Sequence, residues 1–194
     1  MARAVFLDRD GTIIEDRGHL RDPSQVVFFP DTFDALRRLQ QQFLLFIVTN
    51  QPGVSEKTIT REDVDRVNDH VVARLAEADV HITRVYVCPH ARAEGCTCIK
   101  PEPYFLRKAA RQYQIDLEDS FTVGDHPHDV ALADGVGAEG IYVLTGHGTR
   151  HRTELPPDVC VAAGIREASL RMLAAKSPAM GRGTVYGNAK EPGT

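Results

Sequence analysis

The chain has 194 residues, of which 42% are hydrophobic and 26% are charged, and its formal net charge is -4 at pH 7. These values predict one folded domain with a buried core. The acidic balance, without a basic run, argues against binding to nucleic-acid phosphates. No apolar stretch reaches the roughly 18 residues of a membrane span, and no signal sequence precedes the first strand-like segment, so we expect a cytoplasmic protein.

Short apolar runs alternate along the chain with segments of helical periodicity. In chain order the predicted elements are strand Ala4–Leu7, helix Asp31–Gln42, strand Leu44–Val48, helix Thr60–Ala78, strand Arg84–Cys88, helix Pro103–Gln114, strand Ser120–Gly124, helix Pro127–Gly135, strand Gly140–Leu144 and helix Ile165–Ala175. The strands are apolar on both faces, which is typical of a buried parallel sheet. Their alternation with helices predicts an α/β fold with a doubly wound, Rossmann-like parallel sheet.

The chain divides by composition into two parts. Residues 1–175 carry the alternating pattern, whereas residues 176–194 are rich in Ser, Pro, Gly and Lys with few apolar anchors. We predict one domain over 1–175 and a flexible C-terminal tail over 176–194. Within the domain, Thr60 and Asp63 resemble a capping box at the start of the second helix.

Polar residues cluster where the predicted strands end. The first strand runs directly into Asp8 and Asp10, and the fourth runs into Asp125. Parallel strands bring their carboxyl ends to one edge, where these carboxylates would suit Mg²⁺. The alternative is that such aspartates are turn or helix-cap residues, and this stays open for Asp129. A receiver domain also gathers aspartates at strand ends, so the cluster alone does not define the function.

Three of the four cysteines lie close together and are accompanied by a histidine. Cys88, His90, Cys96 and Cys98 form a Cys₃His set that suits a closed, structural Zn²⁺ site. The alternative is a group of reduced, buried cysteines with an unrelated histidine. Cys160 lies apart, between valines, and is predicted to be a core residue.

Four motifs resemble, in the expected order, those of the haloacid dehalogenase-like phosphatases. They are the segment from Asp8 to Thr12, Thr49-Asn50-Gln51, Lys100-Pro101 and the segment from Gly124 to Asp129, and the resemblance covers about Val5 to Leu155. It implies this family's fold without a large cap domain, and a Mg²⁺-dependent phosphoryl transfer. A small phosphorylated molecule would be the substrate, and the protein would be a monomer or a weak homo-oligomer.

The resemblance also implies roles for individual residues. Asp8 would be the nucleophile that forms an aspartyl-phosphate, and Asp10 would act as general acid and then general base. Mg²⁺ would be bound by Asp8, Asp125 and the main-chain carbonyl of Asp10, with His126 and Asp129 as candidate additional site residues. The residues implied in phosphate binding are Arg9, Gly11, Thr12, Thr49, Asn50, Gln51 and Lys100.

The cysteine loop followed by Lys100-Pro101 is similar to that of two branches of the family. These are the D-glycero-D-manno-heptose 1,7-bisphosphate phosphatases and the histidinol-phosphate phosphatases. The stretch Tyr142–Leu155 looks more like the heptose branch, which implies hydrolysis of the 7-phosphate during synthesis of a lipopolysaccharide precursor. Three positions depart from the common pattern of these branches. Basic residues are usual at Ile99, directly before the motif lysine, and at His126, and a tyrosine is usual at His19.

Two other functions stay open at this point. One is hydrolysis of histidinol phosphate or another small phosphomonoester. The other is a receiver-like module that holds a phosphoryl group without turnover. Asp10 favours an enzyme, because a module without turnover needs no second aspartate to activate water.

Overall fold

The structure is a computed structural model that describes residues 1–175. The predicted flexible tail, 176–194, lies outside the described residues, and the domain limit at 175 stays a prediction. The strands are β1 (Ala4–Leu7), β2 (Leu44–Asn50), β3 (Arg84–Cys88), β4 (Phe121–Gly124), β5 (Glu139–Val143) and β6 (Cys160–Ala162). The helices are α1 (Thr32–Leu39), α2 (Arg61–Glu77), α3 (Tyr104–Tyr113), α4 (Pro127–Asp134), the short α5 (Gly148–His151) and α6 (Ile165–Ala174).

The strands form one parallel sheet in the order β3-β2-β1-β4-β5-β6. Val5 of β1 pairs with Leu45 on one side and with Phe121 on the other. The chain therefore winds outward in both directions from β1. The prediction of a doubly wound sheet is confirmed, and the carboxyl ends of β1 and β4 lie where such sheets bind ligands.

Each face of the sheet is covered by helices, because successive strand residues point to opposite faces. Val5 and Leu7 belong to a core that contains Leu36 of α1, Val71 of α2 and Met172 of α6. The opposite core joins the sheet to α3 and α4 and contains Ala4, Phe6, Phe46, Tyr86, Leu106 and Leu132. Burial on both faces explains why these strands are apolar without alternation.

The structure adds three features to the predicted elements. β2 continues beyond Val48, because Thr49 and Asn50 pair with residues of β3. β6 was not predicted; its three residues, beginning at Cys160, pair with β5 at the sheet edge. The single-turn helix α5 was also not predicted, and it follows the loop after β5.

Two further features set the frame of the candidate site. Thr60 and Asp63 form the predicted capping box, with hydrogen bonds of 3.1 Å and 2.8 Å between each side chain and the other residue's main-chain N–H. Between β1 and β2 the chain contains only α1 and a short 3-10 turn at Pro23–Gln25, so no cap domain is inserted there.

Within residues 1–175, no helix combines the length and the apolar character needed to cross a bilayer.

Candidate active site

The carboxyl edge of the sheet opens into a cleft of about 460 Å³. Residues from the ends of β1, β2 and β4 and from the loop after β3 contribute to its walls. Among the side chains that line it are Asp8, Asp10, Thr49, Asn50, Lys100 and Asp125. The cleft therefore collects carboxylates, a hydroxyl, an amide and an ammonium group from four separate parts of the chain.

Asp8 and Lys100 form an ion pair at the floor of this cleft. Asp8 is fixed by its main-chain N–H, which donates to the carbonyl of Val123 at 2.8 Å. Lys100 Nζ donates to Asp8 Oδ1 at 2.5 Å and to Asp129 Oδ1 at 2.6 Å. Burial raises the pKa of Asp8, and the ammonium of Lys100 opposes that rise. Burial acts to lower the pKa of Lys100, but the carboxylates of Asp129 and Asp8 outweigh it and raise this pKa, so the lysine is a permanent cation.

Asp125 completes a group of three carboxylates. Oxygens of Asp125, Asp8 and Asp129 all lie within 4.8 Å of one another. Burial raises the pKa of Asp125 to about 6, although its hydrogen bond from the His147 N–H at 2.7 Å acts in the opposite direction. Carboxylates at this spacing repel one another unless a cation lies among them, and hard oxygen ligands are those Mg²⁺ prefers. The group therefore fits a Mg²⁺ ion.

Two glycines allow the backbone to approach Asp125. Gly11 and Gly146 have φ angles of +81° and +54°, in the left-handed region that favours glycine. A Cβ atom at either position would collide with the Asp125 carboxylate. Thr145 Oγ1 also donates to the carbonyl of Gly11 at 2.6 Å, so the loop after β5 is tied to the segment that follows β1.

Asp10 is held by two polar side chains, Arg9 and Gln51. The guanidinium of Arg9 donates to both Asp10 oxygens, at 2.8 to 3.1 Å, and its Nη1 donates to Asn68 of α2 at 2.7 Å. Gln51 Nε2 donates to Asp10 Oδ2 and to Thr49 Oγ1, both at 2.9 Å. This network fixes the orientation of the Asp10 carboxylate at the wall of the cleft.

Apart from Gly11, whose backbone approaches Asp125, the residues implied in phosphate binding fall into two groups. Thr49, Asn50 and Lys100 line the cleft, and Asn50 Oδ1 also accepts from the main-chain N–H of Lys100 at 3.2 Å. The side chains of Arg9, Thr12 and Gln51 are instead buried behind its walls. Arg9 in particular is fully buried, because its guanidinium is used by Asp10 and Asn68, so the geometry favours a positioning role over direct phosphate contact.

The four predicted zinc ligands lie together beside the cleft. The Sγ atoms of Cys88, Cys96 and Cys98 are 3.1 to 3.6 Å apart. His90 Nδ1 lies 3.7 Å from Cys88 Sγ and 3.4 Å from Cys98 Sγ. A tetrahedral Zn²⁺ with Zn–S bonds of about 2.3 Å has S···S edges of about 3.8 Å, so this set fits a closed zinc site.

Histidines form part of the cleft rim. The His126 and His128 rings stack with centroids 4.4 Å apart, and both line the cleft. Burial lowers the pKa of His126, and burial together with the nearby Arg92 lowers that of His128 to about 4, so both rings are neutral at pH 7. Asp129 serves two purposes, because it accepts the N–H of His126 at 3.1 Å as a cap of α4 and also contacts Lys100. Asp129 is therefore a helix-cap residue, and its part in a metal site stays a prediction.

Sequence reasoning missed three residues of this region. Asn68 lies on the buried side of α2, and a polar residue within that apolar periodicity was the available signal. His147 follows β5 at the same sheet edge as the other strand-end residues, which also gave a signal. Arg92 lies in the cysteine loop, where no sequence pattern indicates that its side chain reaches the cleft.

Comparisons with known proteins bear on this geometry. The HAD-hydrolase-like family model matches residues 97–168. The D-glycero-beta-D-manno-heptose-1,7-bisphosphate 7-phosphatase of Escherichia coli is 35% identical over 154 residues, which are 74% of this chain and 80% of that protein. The protein of the same name from Haemophilus influenzae is 34% identical over 156 residues, 75% of this chain and 84% of that protein.

A solved structure extends the comparison to the fold. The crystal structure of D,D-heptose 1.7-bisphosphate phosphatase from B. bronchiseptica, complexed with magnesium and phosphate, matches with a TM-score of 0.82 and 27% identity. The match covers 88% of this chain and 98% of that one. The fold is thus that of the haloacid dehalogenase-like phosphatases, which are phosphoric monoester hydrolases, and this resemblance is confirmed. Sequence identity to the two curated proteins extends over about three quarters of the chain. The chain belongs to the family of the D-glycero-D-manno-heptose-1,7-bisphosphate 7-phosphatases.

Proposed function

We propose that this protein is a Mg²⁺-dependent phosphatase that removes the 7-phosphate of D-glycero-D-manno-heptose 1,7-bisphosphate through an aspartyl-phosphate on Asp8. The observation that carries the proposal is the contact between Asp8 and Lys100 in a cleft that also presents Asp10 and Asp125. The names of the curated relatives support this choice of substrate.

Asp8 is the nucleophile in this proposal. Its carboxylate forms a bond to phosphorus while the bond from phosphorus to the sugar oxygen breaks, which divides one difficult displacement into two easier steps. Lys100 offsets the negative charge on the transferring phosphoryl group. Thr49 and Asn50 line the same cleft and supply hydrogen-bonding groups for the phosphoryl oxygens.

Asp10 is the general acid and the general base in this proposal. It gives a proton to the departing sugar oxygen, and in the second step it takes a proton from the water that attacks the aspartyl-phosphate. The hydrogen bonds from Arg9 and Gln51 hold the same carboxylate in place for both steps. We therefore assign Arg9 and Gln51 to positioning Asp10.

The Mg²⁺ ligands in this proposal are Asp8, Asp125 and, as the resemblance implies, the main-chain carbonyl of Asp10. Bound Mg²⁺ would supply positive charge beside the phosphoryl oxygens. The proximity of the Asp8 and Asp125 oxygens supports this assignment. Asp129 adjoins the group, but both of its carboxylate oxygens already accept hydrogen bonds, one from Lys100 and one from the N–H of His126.

Zn²⁺ would be held by Cys88, His90, Cys96 and Cys98. All four positions of a tetrahedral ion are then taken by the chain, which is characteristic of a structural site. Because Lys100 follows Cys98 by two residues, an ordered cysteine loop would fix the main chain that presents this lysine to Asp8.

Loss of zinc is expected to lower activity through Lys100. We expect the Cys96→Ser protein, or wild-type protein treated with a strong chelator and returned to Mg²⁺, to lose up to roughly 100-fold in kcat/KM, since small misplacements of a site residue have effects of this order. Zinc content and phosphate release are measured on the same samples. Cys160→Ser is the matched control, because Cys160 lies in β6 outside the cluster. Zinc loss without any change in turnover would refute the role of the loop.

The proposed substrate is tested by steady-state phosphate release with Mg²⁺. We expect kcat/KM for heptose 1,7-bisphosphate to exceed that for histidinol phosphate by at least roughly tenfold, a ratio within reach of a few differing contacts. A preference for histidinol phosphate would instead place the protein among the histidinol-phosphate phosphatases. Stable phosphorylation of Asp8 without release of phosphate would favour the receiver-like module.

A further inference from the structure

One permanent cation in the cleft is not used by the reacting groups. Two such cations, Lys100 and Arg92, line the cleft. Lys100 is engaged by Asp8 and Asp129. Within residues 1–175, Arg92 forms no ion pair with a carboxylate, and it is exposed although it lines the cleft.

Arg92 is nevertheless held in a defined place. Its Nη2 donates to the main-chain carbonyl of Lys100 at 3.0 Å and lies 3.3 Å from His128 Nδ1. The guanidinium thus bridges the main chain at Lys100 and the first turn of α4. Because Arg92 contacts the main chain of Lys100 while the Nζ of that lysine contacts Asp8, the guanidinium is separated from the nucleophile by about one lysine side chain.

Apart from Lys100 and Arg92, the side chains that line the cleft offer an anion no permanent positive charge, and His126, His128 and His147 supply at most ring N–H donors. Asp16 and Glu56 line it and would repel a phosphate. Ile99, which lies directly before Lys100, is buried and apolar, and it offers no hydrogen-bond donor from its side chain. Among the described residues that line the cleft, Arg92 is therefore the permanent cation left to receive a second negative group of a substrate.

We propose that Arg92 binds the phosphate that is not hydrolysed, and that it thereby selects bisphosphorylated sugars over monophosphates. This inference rests on the proposed function and deepens it. A guanidinium has five N–H donors and a planar shape that matches phosphate oxygens, and only one of its nitrogens is seen in hydrogen bonds here. Arg92 would act as a binding residue for the distal phosphate and not as a participant in the chemical steps.

The test compares two substrate pairs with wild-type, Arg92→Ala, Arg92→Lys and Arg74→Ala proteins. The pairs are heptose 1,7-bisphosphate with heptose 7-phosphate, and fructose 1,6-bisphosphate with fructose 6-phosphate. We expect the ratio of kcat/KM, bisphosphate over monophosphate, to fall roughly 10- to 100-fold in Arg92→Ala, the effect of one charged hydrogen-bonding contact. Arg92→Lys should retain part of the ratio. Arg74 lies on the exposed side of α2, so Arg74→Ala controls for loss of a surface arginine.

The ratio separates binding from a structural effect, because a loosened cysteine loop would slow both members of a pair alike. Equal kcat/KM values for bisphosphate and monophosphate in wild type, or an unchanged ratio in Arg92→Ala, would overturn the inference. If wild type prefers heptose bisphosphate but Arg92→Ala keeps that preference, the proposed function stands and the inference fails. If only the fructose pair shows a preference that depends on Arg92, the inference stands and the proposed heptose substrate fails.

Discussion

Asp8→Asn is expected to abolish turnover while leaving the fold intact. The amide cannot replace the carboxylate as nucleophile, so kcat should fall by roughly 10⁴- to 10⁶-fold, as when other enzymes lose a central catalytic group. The protein should still fold, because Asn has nearly the same shape as Asp and Lys100 keeps its contact with Asp129. Phosphate release measures the first effect, and thermal unfolding measures the second.

Asp69→Asn is the matched control for this experiment. Asp69 is an exposed carboxylate of α2, outside the cleft, so the same chemical change there should leave turnover at the wild-type level. If Asp8→Asn kept more than a tenth of the wild-type rate, another residue would have to be the nucleophile. If it lost both activity and its cooperative unfolding transition, the contact with Lys100 would be needed for folding as well.

Asp10→Asn is expected to slow both chemical steps and to trap the intermediate. Without a general acid and base we expect a loss of roughly 10²- to 10⁴-fold in kcat. The second step needs a base to activate water, so phosphorylated Asp8 should accumulate with a substrate whose first step stays faster than the second, and be visible by mass spectrometry of the intact protein. With p-nitrophenyl phosphate, whose leaving group departs without a proton, the first step should be affected much less than with a sugar phosphate.

The leaving-group comparison tests the assigned role of Asp10 directly. A residue that only supported the structure would slow the two substrates by the same factor. Turnover of sugar phosphate at the wild-type rate by Asp10→Asn would contradict the mechanism. A protein of the receiver-like class would hold the phosphoryl group already in the wild-type form, and the substitution would then change little.

Much of the fold was predictable because its signals are local. Apolar runs and helical periodicity gave five strands of the sheet and the long helices, and Thr60 with Asp63 marked the start of α2. β6 was not predicted because three residues are too few to show a periodic pattern. Its strand conformation depends on pairing with β5, which cannot be inferred from the residues of β6 themselves. The extension of β2 to Asn50 depends in the same way on β3.

The candidate site was predictable where function follows from position at a strand end. Asp8, Lys100 and Asp125 were named from their motifs, and the structure brings them into one cleft. The place of Arg9 could not be predicted, because its partner Asn68 is 59 residues away and reaches it only through the packing of α2. The position of the Arg92 side chain could not be predicted either, because a flexible side chain in a loop shows no periodic pattern in the sequence.

The central place of β1 in the sheet has a consequence for how the protein folds during synthesis. β1 is made first, yet one of its two neighbours is β4, and the N–H of Ala4 donates to Ser120 across 116 residues of chain. Closing so long a loop has an entropic cost that must be met before these contacts form, and non-local pairing of this kind slows folding. A nascent chain that ends before β4 lacks both this neighbour and Asp125. Asp8 therefore leaves the ribosome well before Asp125, and the site that contains both is assembled only after the chain between β1 and β4 has been made.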